Sequence, residues 1–535
     1  MKQYLLLFLI LSLALFLRVY KLDSIPPALN RDEAGFGYEA YSLLKTARDQ
    51  HGRFLPLSFE LFGVWEYPVQ FYLKIPFIAV LGLNTFSVRF SVVAVALVTV
   101  VFVFKLTQRW FDRRLALLAT LLLSLSSWHF FMSRAGYSQS FYGLMFLLVG
   151  TYYLLFGKKS IIQIGGSIVL GLTSFAYPAY FFFLPAYLII LAYFYRRKLL
   201  LVSGLILLAS YLVFWTPNKL RIPGGAFYAG IEEDLRWRWS DKPVGEYLAL
   251  GGRYDAVEKW LHHPRLAVPV KAIFNYWDAF SVDFWLKKGR GFESNVDGFG
   301  NLLIYEPILI VVGLAWLLWH KQRPALLLLV WVLAGPTASM FTREPASTKL
   351  IHMLIPLVIF EAAGVDFLIK KLPWPIIALA SLPVIWFNLL YYDAYFRHLP
   401  ANAGRWWQAG YLDVVNLTNQ YPDATVYWNS RFDFGYIFVL FANRYEPAGF
   451  QSQARRSPGP YNLTWVDGFG RYHFVNDIDW TKACNQPKGL YIDRANSLSK
   501  AEQDYPFDGQ ISRPGGDVFV YALVVPENCH ELKTD

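Results

Sequence analysis

Runs of apolar residues recur along the whole chain, separated by short polar turns. The first covers 4–20, and ten more cover 86–107, 115–132, 139–157, 160–177, 179–195, 199–217, 302–320, 324–341, 350–370 and 374–392. Each is near the ~20 residues a helix needs to cross a bilayer. A further apolar segment, 69–83, is shorter and carries Lys74 and Pro76, and the next run follows it almost at once. Its length and its charge predict a helix lying at the outer interface or re-entering partway. The expected fold class is a polytopic α-helical membrane protein with about eleven transmembrane helices and outer-face juxtamembrane helices.

The polar turns carry the orientation. Arg109 with Arg113-Arg114, Lys158-Lys159, Arg196-Arg197-Lys198, His320-Lys321-Gln322-Arg323 and Lys370-Lys371 fall between alternate runs. Counting spans from 86 onward puts all of them on one side, which the positive-inside rule identifies as the cytosol. The opposite face then collects a first outer loop over 21–85, the turn 133–139, a second large outer loop over 218–301, the turn 342–349 and everything after 393. Beyond 395 the texture changes. Alternating runs at 424–428, 489–492 and 518–523 read as strands, and 405–419 and 434–443 have helical spacing. We therefore expect two domains, a membrane domain over 1–395 and a small soluble, extracytoplasmic α/β domain over 396–535.

Composition agrees with the membrane class, at 55% hydrophobic and only 17% charged residues. The net charge of +11 comes from dispersed clusters between apolar runs, not from one basic stripe, so it reads as topology and not as nucleic-acid binding. No small-residue cleavage site follows the first run, which reads as a retained span. The two cysteines, Cys484 and Cys529, exclude a disulfide scaffold, and one bridge is open to them if that region lies outside the cytosol. The Asn-x-Thr triplets at Asn416 and Asn462 carry little information.

Candidate chemistry gathers on the outer face. Arg31-Asp32-Glu33 places two adjacent carboxylates just beyond the first span, where they are either solvated loop acids or a functional site. The same face holds Glu39, His51, Glu66, Arg134, Tyr137, Lys219, Arg221, Glu232-Glu233-Asp234, Asp278, Asp283, Arg343, Glu344 and Lys349. No Ser-His-Asp or Cys-His set stands at a useful spacing, which leaves carboxylate acid–base chemistry with cations to hold an anion. Arg134 and Lys349, each where a span meets the outer face, could pair with a phosphate at the bilayer surface or reach to lipid headgroups. Glu66, before the interfacial helix, reads as a helix N-terminal charge or a site residue.

The order of these parts resembles the GT-C superfamily of integral-membrane glycosyltransferases, in its protein O-mannosyltransferase and lipid A aminoarabinose transferase branch. The likeness covers the arrangement of roughly residues 1–395, and its specific motifs, Asp32-Glu33, Glu66-Tyr67-Pro68 and Ser133-Arg134 with Gly136-Tyr137, lie within the first 140. The resemblance implies that Asp32 is the catalytic base, supported by Glu33, and that Glu66, Arg134, Tyr137 and Lys349 bind substrate. The chain lacks the family's basic residue and second proline after Glu66. Pro345-Ala346-Ser347-Thr348-Lys349 keeps the proline and the terminal cation of a late family motif but has Ala346 where the family has histidine.

The reaction so implied is inverting transfer of a sugar from a polyprenyl-phosphate donor to a hydroxyl acceptor, on protein, lipid or envelope glycan, at the outer face of the plasma membrane. The expected partners are that donor, the acceptor and the bilayer, with no nucleic acid. No cofactor is called for, and a divalent metal stays open. A transporter or lipid-linked glycan flippase is the alternative from another class, and a display protein for the C-terminal domain is a third.

Overall fold

The apolar runs fold as helices, but few of these helices are long. The computed structural model describes residues 2–214, 248–249, 251, 264–287, 295–340, 345–459 and 463–526. Most of the second large outer loop lies outside the described residues, together with Lys219, Arg221, Glu232-Glu233-Asp234, Arg343, Glu344, Asn462 and Cys529. Among the described residues, four helices are long and apolar enough to cross a membrane: Thr85–Trp110, Pro178–Tyr195, Ser347–Lys371 and Trp374–Asn402. The expected span over 115–132 is a pair of helices, Arg113–Leu125 and Ser127–Arg134, bent by 55° at Ser126. Shorter apolar helices accompany them, among them Tyr4–Val19, Ser140–Phe156 and Glu306–His320. The chain is thus a predominantly helical protein built on several apolar helices.

The first outer loop has its own structure. Helix α1 (Lys2–Val19) is followed by α2 (Arg31–Thr46), then a two-stranded hairpin of β1 (Phe59–Leu61) and β2 (Val64–Glu66), then α3 (Val69–Leu81), the interfacial segment of the sequence. Asn30 starts α2 with a capping box, its side chain accepting from the Asp32 N–H at 2.8 Å while its own N–H donates to Glu33 Oε2 at 3.2 Å. Two of the first turn's free donors are thereby satisfied, which fixes where the helix begins.

The C-terminal region forms a seven-stranded mixed sheet, in the order β4 (Arg455–Pro458), β5 (Thr464–Phe469), β6 (Tyr472–Val475), β3 (Val426–Asn429), β7 (Gly489–Arg494), β9 (Phe519–Val524) and β8 (Gly509–Ile511). Its centre is β3, parallel to both β6 and β7, and the remaining pairs are antiparallel. Helices Tyr411–Gln420 and Tyr436–Ala442 cover it. The helical spacing seen from 405 produces a helix only from Tyr411, because Gln408 (φ 54°) and Gly410 (φ 103°) are left-handed and break the turn before it.

This sheet and the first outer loop share one apolar core. Phe36 of α2, Phe59 of β1, Phe71 of α3 and Val88 bury with Trp428, Phe438 and Phe474. At Gly37 the packing leaves no room for a side chain: a Cβ there would stand 2.6 Å from Val88 and 2.8 Å from Phe441. Polar contacts bind the same joint, with Gln451 Nε2 donating to Asp49 O at 2.9 Å, Arg456 Nη2 to Gln50 O at 3.0 Å and Thr464 Oγ1 to Glu60 Oε1 at 3.0 Å. His51, in this joint, is pushed down to about 4 by burial first and by Arg456 and Arg53 next, so it is a neutral structural ring at pH 7.

Candidate active site

Consecutive residues of α2 point about 100° apart, so the two carboxylates of the opening triplet meet different surroundings. Glu33 faces inward and is fully buried. Arg89 holds it through Nε at 3.0 Å from Oε1 and Nη2 at 2.9 Å from Oε2, and the Gly136 N–H donates to Oε1 at 2.6 Å. Arg89 in turn caps the carbonyls of Leu22, Pro26 and Ala28. Expected as a neighbour supporting Asp32, Glu33 is tied on every side to the scaffold: it joins α2, the preceding loop and the turn after Arg134.

Asp32 faces the other way. Its side chain is 44% exposed and Arg31 Nε lies 3.8 Å from Oδ1. Desolvation by the surrounding protein raises its pKa, Arg31 opposes that rise, and the charge of Glu33 adds to it. Glu66, at the end of β2, accepts from Gln139 Nε2 at 2.7 Å. Burial pushes Glu66 up to about 7; the Gln139 hydrogen bond works against this and the charge of Asp32 works with it. The fold thus brings Asp32 and Glu66 into one electrostatic neighbourhood, although 33 residues separate them in the sequence. Gln139 carried no expectation of its own; its place in the outer turn 133–139 was the available signal.

Close in sequence to Glu66 and Gln139 stand buried polar groups that make no hydrogen bond among the described residues. They are the Gln139 Oε1, both amide atoms of Gln70, and the hydroxyls of Ser138 and Ser140. One turn after Gln70, the fully buried Lys74 donates to Tyr142 OH at 2.9 Å. Amides, hydroxyls and an ammonium are the groups that recognise sugar hydroxyls and a phosphate.

Arg134 does not join them. It is fully buried, and all five of its N–H groups have partners: Nε donates to Tyr395 OH, Nη1 to Leu17 O and Arg18 O, and Nη2 to Lys21 O and Ile25 O, at 2.8–3.3 Å. These carbonyls belong to the last turn of α1 and the residues just beyond it, where a helix leaves acceptors without internal partners. The expected phosphate contact at Arg134 is corrected on this geometry: the guanidinium closes a helix end and has no donor left for a ligand. Tyr137 is half-buried, its ring 5.6 Å from that of Trp407. Lys349 is half-buried on the short helix Ser347–Leu350, whose Thr348 accepts from Tyr177 OH at 3.3 Å. Among the described residues, no cluster of three or more His, Cys, Asp or Glu could hold a metal ion.

Comparison with known proteins bears on this arrangement. Residues 8–192 match the family model "Dolichyl-phosphate-mannose-protein mannosyltransferase", over about a third of the chain. The crystal structure of ArnT from Cupriavidus metallidurans bound to undecaprenyl phosphate superposes with a TM-score of 0.54 at 14% identity, covering 96% of this chain and 97% of that one. The chain shares the fold of this ArnT. The apo state of the same ArnT gives a TM-score of 0.52 at 14% identity, covering 98% of both chains. The archaeal oligosaccharyltransferase AglB from Archaeoglobus fulgidus, in complex with an inhibitory peptide and a dolichol-phosphate, gives 0.48 at 14% identity, over 82% of this chain and 63% of that one. No curated protein matches the chain. The segment 21–85, with Asp32 and Glu66, lies in the part of the chain that the family model covers.

Proposed function

We propose that the protein is an inverting glycosyltransferase that moves a sugar from a polyprenyl-phosphate donor to a hydroxyl acceptor on the outer face of the membrane. The observation that carries the reading is Asp32, a half-exposed carboxylate at the start of α2 that shares an electrostatic neighbourhood with the buried Glu66 and its partner Gln139. The GT-C fold and the undecaprenyl phosphate held by ArnT support a lipid-linked donor. In this reading residues 1–395 form the transferase domain, and 396–535 contribute to its outer face.

Asp32 accepts the proton of the acceptor hydroxyl as its oxygen attacks the anomeric carbon. The bond from that carbon to the phosphate oxygen breaks on the opposite face, and the polyprenyl phosphate leaves with the electron pair. Phosphate needs no protonation to leave, so a second carboxylic acid is not required, unlike glycoside hydrolysis. Lys349 from the late helix supplies positive charge for the leaving group that Arg134 does not, joined by Lys74 in its protonated form, whose pKa burial pulls down to about 7 against the charge of Glu33. Preorganised charge aimed at a developing anion is usually the largest catalytic contribution. Glu66 at about 7 and Gln139 orient the sugar or the acceptor.

The test is incubation of the purified protein with a panel of polyprenyl-phosphate sugars, following release of polyprenyl phosphate and transfer of the sugar. Turnover of at least one donor is expected. Reconstituted vesicles that flip the lipid without breaking any glycosidic bond would establish the transporter reading instead.

A further inference from the structure

The residues that hold Asp32 in place come from the far end of the chain. Arg31, the first residue of α2, donates its backbone N–H to Gln408 Oε1 at 2.8 Å, and Gln408 Nε2 reaches Asp433 O at 3.3 Å. Asn30, the helix cap, donates from Nδ2 to Trp406 O at 3.4 Å. The Arg31 guanidinium lies over Phe434, 5.3 Å from its ring centre, and over Phe62 at 5.9 Å, and those two rings are 4.5 Å apart. Gln408 and Phe434 both have left-handed backbones, φ 54° and 57°. Residues with side chains hold that conformation only where the surrounding structure over-determines it, and such positions cluster at working sites.

An arginine beside an aspartate at a half-exposed site is free to swing into solvent, and such pairs contribute little unless something fixes them. Here two aromatic faces fix the guanidinium, and a cation over a ring gains about 0.5–1 kcal/mol at an exposed site. The other charges facing Asp32 leave Arg31 as its one nearby cation of this kind among the described residues. Glu33 is neutralised by Arg89, Glu66 is an acid, and Asp433 behind the clamp is paired with Arg494.

We infer that the C-terminal segment around Gln408 and Phe434 is a positioning element of the transfer site: Gln408 fixes the start of α2, and Phe434 with Phe62 holds Arg31 against Asp32. This rests on reading Asp32 as the base. The C-terminal region is then no passive cover. Its sheet and helices set the electrostatic surroundings of a carboxylate almost 400 residues earlier in the chain.

The test reads the Asp32 titration without turnover. The carboxyl is held above its unfolded value, so the folded protein binds that proton more tightly, and the wild type loses stability relative to Asp32→Asn as pH rises from the unfolded pKa to the folded one. The upper end of that fall, read from melting curves of the full chain in detergent, is the folded midpoint. Phe434→Leu, which keeps apolar volume and removes the ring, is expected to move it up by about half a unit to one unit, because Arg31 opposes the rise. Arg31→Gln is expected to move it as far, Arg31→Lys less, and the double variant Arg31→Gln/Phe434→Leu no farther than Arg31→Gln alone. Gln408→Ala gives the same comparison from a half-buried position if Phe434→Leu does not fold. A lowered Tm with an unmoved midpoint, or shifts that simply add, would overturn the inference. A wild type that turns over no donor in the panel would instead overturn the proposed function, since these midpoints do not depend on turnover.

Discussion

Glu33→Gln separates structure from chemistry at the opening triplet. The substitution removes the charge from a fully buried carboxylate and leaves Arg89, also fully buried, without its counter-ion. It also weakens the acceptors offered to the Gly136 and Asn30 N–H groups. Breaking a buried pair by removing one partner costs about 3–5 kcal/mol, which in a chain of this length corresponds to a fall in Tm on the order of 5 °C. Asp32→Asn changes a half-exposed side chain and breaks no buried pair, so it should not lower the Tm. The assay is thermal unfolding of both variants in the same detergent, alongside turnover normalised to folded protein. The account expects Glu33→Gln to be destabilised, with its folded fraction retaining most activity below its lowered Tm. A Glu33→Gln variant as stable as the wild type but as inactive as Asp32→Asn would refute the structural reading and make Glu33 part of the chemistry.

Glu66 gives a pH-dependent prediction with a definite sign. Its folded pKa, about 7, lies above its ordinary 4.5, so the folded state binds the proton more tightly and the wild type loses stability relative to Glu66→Gln as pH rises from 4.5 to 7; a Tm difference that stays flat across that window would contradict the burial argument. Lys74→Met keeps the volume of a buried side chain and removes an ammonium whose pKa burial pulls down to about 7, so the Tm should hold while affinity for undecaprenyl phosphate at pH 6 falls by about tenfold or more. Equal binding by wild type and variant in a thermophoresis titration would remove Lys74 from the donor site.

The helical class and the candidate carboxylates at the start of α2 were legible because they depend on local pattern. Apolar runs, basic turns and the alternating segments after residue 395 each announce themselves within a few turns of chain. The capping box that starts α2 was legible too, in the Asn30-x-x-Glu33 spacing, and it would have marked Glu33 as a helix-start residue. What the sequence hides is partnership across distance. Arg134 reads as a cation at a span end, yet the carbonyls it caps lie 109–117 residues earlier. Glu33 and Arg89, 56 residues apart, meet only because the first loop folds back on the helix Thr85–Trp110. The bend at Ser126 is equally silent in hydropathy, since both halves of the run are apolar. The shared core between the first loop and the C-terminal sheet depends on aromatic faces such as Phe71 and Trp428, whose pairing no periodicity encodes.

Asp32 carries the account, and the most direct measurement is single-turnover transfer by Asp32→Asn with whichever polyprenyl-phosphate sugar the wild type uses. Loss of general-base catalysis predicts a rate lower by about 10²–10⁴-fold with donor affinity unchanged. Wild-type rates in a folded, donor-binding Asp32→Asn protein would contradict it.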